Sequence, residues 1–436
     1  MLNRIRLLSI GKFFFLAGIF LLASAPFISS IFFLLSLSVS FYIGFPKICK
    51  DKWNYPLVLT AFIMVIVAFI HNVYYINIET EVKEKIFLWN PSASWIGLAN
   101  WIPLFLIFMG FQEFLSNKKD RKVCAQYLVA GSIPVLVTGF GQYFFDWHGP
   151  LQTFNKLIVW FQYTLEEGQG LEGLFSNQNY AGCWLNIIWP FSIAFLFDKS
   201  LNFFKKSFSL CLVISFSIAI FLTSSRSAWG GLLLTLPLLL WENIFFLILI
   251  IILLLTILIN LNIYLPEITK KFTALIPDKL NLINEFNPAN YENFSETRIG
   301  IMSFATKMIF NKPFLGWGAA SFSYYNFLKT YIYTGHPHNL FLELAFSYGL
   351  IPSFLILVYI VSLCFISLKI IYFEKIKIAL NDLFYEKAWL TSFFVLLISQ
   401  MIDIQYFDIR ISLAFWILLA GMRSIIRENN INKKNV

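Results

Sequence analysis

Apolar residues run in long unbroken stretches along most of the chain, and polar residues are confined to the gaps between them. These stretches repeatedly reach the roughly 20 residues that carry a helix across a hydrocarbon core about 30 Å thick. They are continuous, not alternating, and a backbone in lipid must satisfy its own hydrogen bonds, so they predict helices and not a barrel. The predicted spans are residues 8–25, 27–46, 56–76, 95–115, 123–145, 180–197, 207–223, 227–241, 244–264, 338–368, 388–403 and 411–426. The expectation is an all-α, polytopic integral membrane protein of about twelve transmembrane helices, with residues 1–436 as a single integral membrane domain. The first run follows Arg4, Arg6 and Lys12 and ends in Ala-Ser-Ala at 23–25, as a cleaved leader would. A second apolar run follows almost at once, so the first is read as a retained span.

Composition agrees with the pattern: 58% of residues are hydrophobic, only 13% are charged, and the mean hydropathy is +0.71, far from the soluble globular norm. The charge that remains is a topology signal. Basic residues gather at 4–12, at Lys47, Lys50 and Lys52, at 118–122, at 199–206, at 369–387 and after Arg423, all on one side of the predicted spans. The opposite loops carry few, which predicts cytoplasmic termini in a multi-pass protein of the inner (plasma) membrane. The net charge of +9 is therefore largely a matter of orientation, and no nucleic-acid partner is expected. The five cysteines lack paired spacing and read as packing residues. No internal repeat or low-complexity tract is evident.

Two outward segments, 146–179 and 265–337, are too long to be mere connectors, and the second is the large extracytoplasmic loop. It is neither Gly/Ser-rich nor densely charged, which predicts order. Within it, residues 295–310 read as a helix with Ser295 as N-cap, ended by Pro313. Arg298 then sits in the first turn, where its charge adds to the positive helix end, a cost of about 0.3–1 kcal/mol that a nearby anion would reverse; otherwise it is an ordinary surface arginine. Arg226 interrupts an apolar run at the outer boundary, where an arginine costs roughly 2.5–3.5 kcal/mol unless it faces a cavity, a partner or headgroups. Ser224, Ser225 and Ser227 beside it can cap the next helix or donate to an oxyanion.

In His-Pro-His-Asn-Leu (336–340), His338 stands at the predicted mouth of a helix, next to an amide and at the boundary between water and lipid. The positive helix end there favours a neutral ring able to accept a proton, although a lone interfacial histidine is more often structural. Two cations and one basic ring at one outer face are what a metal-independent glycosyl transfer from a lipid diphosphate requires. The arginines stabilise charge developing on the pyrophosphate leaving group, and the histidine removes the proton of the attacking hydroxyl. A single inverting displacement is the economical mechanism, and no cofactor is expected.

The chain resembles the O-antigen ligase and polymerase superfamily of bacterial membrane glycosyltransferases, from about residue 100 onward. The resemblance is carried by GLFSNQNYAG (173–182), SSRSAWGG (224–231), TRIGIMSFATKMIFNKPFLGWGAASF (297–322) and HPHNLFLELAFSYGL (336–350). Most specific is the last, where His338 and Asn339 open a helix and are followed by Glu343, Gly349 and Leu350. The resemblance implies a GT-C-like fold, an undecaprenyl-diphosphate-linked glycan as donor, and a lipid or glycan acceptor. It makes His338 the base and Arg226 and Arg298 the diphosphate ligands, and Asn339, Ser225 and Trp317 are expected as substrate contacts. Two departures stand out: Asn177-Gln178-Asn179 replaces the commoner Asn-Pro-Asn, and Trp317 occupies a position that is usually smaller.

Other groups are weighed against these. Glu166, Glu167 and Glu172, with Glu79, Glu81 and Glu84, lie on outer loops; paired carboxylates can bind a metal, but no Asp-x-Asp pattern is present, so no metal site is expected and solvation explains them. Asp403, Asp408 and Arg410 pair with one another or line an acceptor cavity, and Glu343 steadies His338 or simply occupies a helix face. Besides a ligase, a polymerase of the same superfamily fits the sequence, as does, less well, a carrier of a small bicarbonate-like anion. A carrier would place its anion site near the bilayer midplane.

Overall fold

The computed structural model describes residues 2–76, 92–153, 155–240, 297–331, 333–374 and 380–434. In chain order the helices are α1 (Leu2–Leu21), α2 (Pro26–Lys50), α3 (Tyr55–Ile76), α4 (Ala93–Leu98), α5 (Ile102–Phe111), α6 (Lys118–Gly131), α7 (Ile133–Phe145), α8 (Gln178–Leu196), α9 (Phe203–Leu222) and α10 (Arg226–Leu240). They continue with α11 (Arg298–Asn311), α12 (Phe322–Thr330), α13 (Leu340–Tyr348), α14 (Leu350–Leu368), α15 (Leu380–Ile402) and α16 (Ile409–Lys434). Helix covers eleven of the twelve predicted spans; the ninth, 244–264, lies outside the described residues, as do Ser295 and the Glu79–Glu84 loop. Among the described residues, seven helical stretches are long and apolar enough to cross a membrane.

Three predicted spans are broken. The chain turns at residues 99–101 between α4 and α5 and at Ser132 between α6 and α7, each time with a proline at the second position of the new helix. Between α13 and α14 it turns at Gly349, whose φ of +90° suits glycine. A Cβ there would meet the Phe314 carbonyl oxygen at 2.2 Å, because the 313–318 loop docks into this break through Leu350 N–H to Pro313 O (2.7 Å) and Trp317 N–H to Phe346 O (2.7 Å). The 146–179 segment holds an antiparallel hairpin of β1 (Leu151–Thr153) and β2 (Ile158–Trp160), a small exception to the all-helical expectation.

Helices α8, α15 and α16 form the centre, with Trp184, Phe191, Trp389 and Trp416 fully buried. The outer helices expose Phe13 and Phe27, Phe62 and Phe69, Phe221 and Phe354, an apolar exterior suited to lipid. Lipid tails remove the hydrophobic drive between helices, so close packing and side-chain hydrogen bonds must hold them together. Ser29, Ser36 and Ser40 of α2 donate to the Gly18, Gly11 and Gly110 carbonyls, and Ser392 of α15 donates to Ile187 of α8. All five cysteines are free thiols.

The predicted basic clusters meet at one end of the bundle, held by ion pairs: Lys12–Asp120, Lys47–Glu113, Arg423–Asp51, Lys122–Asp198 and a buried Arg121–Glu386–Glu428 triad. Grouping on one side is what the charge pattern anticipates.

Candidate functional site

The candidate site is assembled from helix ends. Asn177 caps α8, its side chain accepting from Asn179 N–H (2.8 Å) and Tyr180 N–H (3.3 Å), and this presents Gln178 and Asn179 at the positive end of that helix. Helix α10 starts at Arg226, and α11 starts at Arg298. The cap of α11 is Thr297, whose hydroxyl accepts from Gly300 N–H at 3.0 Å; Ser295, the cap expected from sequence, is two residues too early. Gln178, Asn179, Ser224, Arg226, Ser227 and Arg298, with Gly168, line a single cavity of about 350 Å³. Three helix N-termini and two guanidinium groups thus face one space, an arrangement suited to a polyvalent anion.

Beside this cavity lies the histidine. Residue 338 has a left-handed backbone, φ +53°, just ahead of the α13 cap. The cap itself is Asn339, whose side-chain oxygen takes Phe341 and Leu342 N–H at 3.1 Å and whose amide donates to the Met401 carbonyl at 3.2 Å. This ties the α13 entrance to the end of α15, so that His338 meets Asp403, immediately beyond α15. Nδ1 of His338 lies 2.9 Å from Asp403 Oδ1. A carboxylate accepts and an imidazole Nδ1–H donates, so the proton resides on Nδ1 and Nε2 is left as the acceptor.

Asp403 is shared. Its Oδ1 also takes Ile404 N–H (3.0 Å), and its Oδ2 takes the Asn179 amide (3.3 Å). Asn179 Oδ1 in turn accepts the Ser225 hydroxyl at 2.8 Å, and Ser225 and Ser227 share a hydrogen bond at 3.0 Å. A continuous polar chain therefore runs from the serines beside Arg226 through Asn179 and Asp403 to His338. Burial on its own raises the Asp403 carboxyl, but the His338 hydrogen bond and the nearby His338, His336 and Arg298 charges outweigh it and hold the group below the usual carboxylate range. His336, packed edge-on to His338 at 4.8 Å, is pushed down to about 4, first by burial and then by the charges of His338 and Arg298. His336 is thus neutral at physiological pH, with its Nδ1 3.3 Å from the His338 backbone N–H that it accepts.

Not every expected contact joins the site. Trp317 packs on Tyr325 and Phe346, donates to the Met308 carbonyl at 2.7 Å and lies under Lys312 Nζ, 4.0 Å from its ring; it helps to seat α11 on α13. Ser225 reaches the cavity only through Asn179, and Asn339 holds the backbone of the His338 turn. Asp408 pairs with Arg410, which donates to the Leu174 carbonyl (2.6 Å) and covers the Phe175 ring, so these two brace the 173–175 turn. Glu343 takes the Ser347 hydroxyl at 2.8 Å, one turn further along α13. Sequence reasoning left Asp403 open and missed Asn179; each meets its partner across 65 and 224 residues, a separation without a local signature.

Among the described residues, His336, His338 and Asp403 are the one group of donor side chains able to share a metal ion, with ligand atoms within 4.8 Å of one another. Two imidazoles and a carboxylate suit zinc or a similar ion, but both Nδ1 atoms and Asp403 Oδ1 already serve the hydrogen bonds that shape the turn.

Residues 210–358 match the family model described as O-antigen ligase. The match spans α9 to α14 and includes Arg226, Arg298 and His338, so the resemblance read from the motifs is borne out over that part of the chain. No curated protein matches the chain.

Proposed function

We propose that this protein is an inverting, metal-independent membrane glycosyltransferase of the O-antigen ligase type, which moves a glycan from undecaprenyl diphosphate to an acceptor sugar. The observation that carries this reading is the convergence of Arg226 and Arg298 on one cavity that a hydrogen-bonded chain links to the His338–Asp403 pair. The diphosphate occupies the cavity, where two guanidinium groups and three helix N-termini oppose the charge that grows as the anomeric bond breaks. Nε2 of His338 accepts the proton of the acceptor hydroxyl as it attacks, and Asp403 holds the ring in the required tautomer and offsets the positive charge that forms. A phosphate leaving group departs without a general acid.

The family match supports a membrane enzyme acting on lipid-linked glycans. The site's position at helix ends, away from the middle of any span, fits two substrates presented at one membrane face better than it fits an anion carrier.

His338→Asn is the informative variant, since asparagine tolerates the left-handed backbone. Transfer from purified undecaprenyl-diphosphate-linked glycan should fall by about 10²–10⁴-fold, the usual worth of a general base, in protein that still inserts and purifies normally. Near-normal turnover would remove the proposed base. In the same assay EDTA should have no effect; strong inhibition would instead make His336, His338 and Asp403 metal ligands.

A further inference from the structure

A second cavity, of about 320 Å³, reaches the 335–339 turn through Gly335 and shares no lining residue with the first. Its lining differs in kind from that of the first. It contains no arginine, lysine or histidine; its polar groups are Glu343, Ser347 and Tyr348 of α13 and Asn100 from the break between α4 and α5. Ring faces come from Trp101, Tyr348 and Phe407, the last 40% exposed. Two of the polar groups lack partners: the Glu343 Oε2 and the Tyr348 hydroxyl are buried, with no hydrogen-bond partner among the described residues. Orphaned polar atoms at such depth are costly unless something visits them.

The fold keeps this space open. A Cβ on Gly97 would come within 2.4 Å of Ala319 Cβ and 2.7 Å of the Tyr348 hydroxyl, so only glycine leaves room beside that hydroxyl. Gly335, which lines the cavity, is next to His336, and Glu343 stands in the first turn of α13, whose entrance carries His338. One cavity is thus lined by two arginines and the other by no cation, and the imidazole turn adjoins the second through Gly335. In a single displacement the nucleophile attacks from the side opposite the leaving group, so the arginine cavity cannot also hold the acceptor.

We propose that this second cavity is the acceptor subsite: it binds an uncharged sugar residue whose hydroxyls bond to Glu343, Tyr348 and Asn100 while its apolar face rests on Phe407, and it delivers the attacking hydroxyl to His338. The inference rests on the glycosyl-transfer reading above. The lining explains the selectivity expected of it. A phosphorylated or carboxylated sugar meets one acidic side chain and no cation, and is repelled; a neutral polyol satisfies the orphaned atoms.

The test uses the full-length protein in lipid nanodiscs, with undecaprenyl-diphosphate-linked glycan from the source cell as donor and its deacylated acceptor oligosaccharide as probe. In Tyr348→Phe and Glu343→Gln the KM for acceptor should rise about tenfold, the worth of one hydrogen bond of roughly 1.4 kcal/mol, while the donor KM stays the same. Equal rises in both constants, or no rise in the acceptor KM, overturn the proposal. Binding is read separately by saturation-transfer NMR with the same oligosaccharide. The dissociation constant read by titration should be unchanged in His338→Asn and about tenfold higher in the double variant His338→Asn, Tyr348→Phe; an equal constant in the two variants means that the subsite lies elsewhere. If the wild type binds the oligosaccharide but transfers nothing to it, the enzymatic reading fails while the binding site stands.

Discussion

Asp403→Asn perturbs the site with the least change in shape. In the native protein the two carboxylate oxygens serve three donors: His338 Nδ1–H at 2.9 Å, Ile404 N–H at 3.0 Å and the Asn179 amide at 3.3 Å. An asparagine has one acceptor oxygen. If that oxygen keeps His338 and Ile404, the new NH2 faces the Asn179 amide, which cannot turn over without losing the Ser225 hydroxyl. If it turns to Asn179, an NH2 faces Nδ1, the ring proton must move to Nε2, and His338 can no longer accept. Either arrangement removes the negative charge that offsets the imidazolium formed in the reaction. The expected loss in kcat is about 10²–10³-fold, roughly 3–4 kcal/mol of transition-state stabilisation, with little change in the KM for the lipid-linked donor. The assay is transfer of purified glycan followed over a pH series. The charge of Asp403 also contributes to stability: because its folded pKa is depressed, that contribution is complete above the unfolded value of about 3.9 and is lost as pH falls through the lower folded value. The Asn variant should therefore melt below the wild type above about pH 5, where it lacks that contribution, and the gap should close as pH falls below about 4. A variant that keeps kcat within about threefold of wild type would refute the positioning role.

Two further variants test the rest of the scheme. Arg298→Lys keeps the charge but loses the planar fork that grips phosphate at two points, so donor kcat/KM should fall about 10–100-fold in steady-state assays; full activity in both Arg298→Lys and Arg298→Ala would dismiss the diphosphate contact. At the opposite end of the bundle, Glu386→Ala leaves Arg121, whose side chain is 2% exposed, with only the Glu428 carboxylate. Thermal unfolding in detergent should register a loss of about 3–5 kcal/mol, with activity per folded molecule unchanged; an unaltered melting curve would mean that the triad carries no stability.

Spans were legible in the sequence because apolar runs of this length have one solution in lipid, and helices lie at every predicted span that falls among the described residues. Their breaks were less legible. Gly349 inside 338–368 reads as a tolerated glycine until Pro313 and Phe314 are seen to dock against it. The three residues proposed for the chemistry stood out because each is out of keeping with its surroundings: a cation at a positive helix end, a cation in an apolar run, a ring at a helix mouth. Asp403 and Asn179 were not, since an aspartate between two helices and an asparagine after a cap are common, and only the tertiary fold joins them to His338. Trp317 illustrates a different limit. A large aromatic within a matching motif looked like a substrate contact, but its indole N–H is spent on Met308 and its ring on Tyr325.

The ion pairs that gather the bundle at one end have a mechanical corollary. Lys12, Lys47, Arg121, Lys122 and Arg423 each bind an acid from a different segment of the chain. The molecule is thus riveted at its base, while at the other end four helix ends are joined by hydrogen bonds of 2.8–3.3 Å between largely uncharged groups. On the glycosyl-transfer reading, any yielding to a bulky polymer would fall at those ends, where the bonds are weakest, and not at the riveted base.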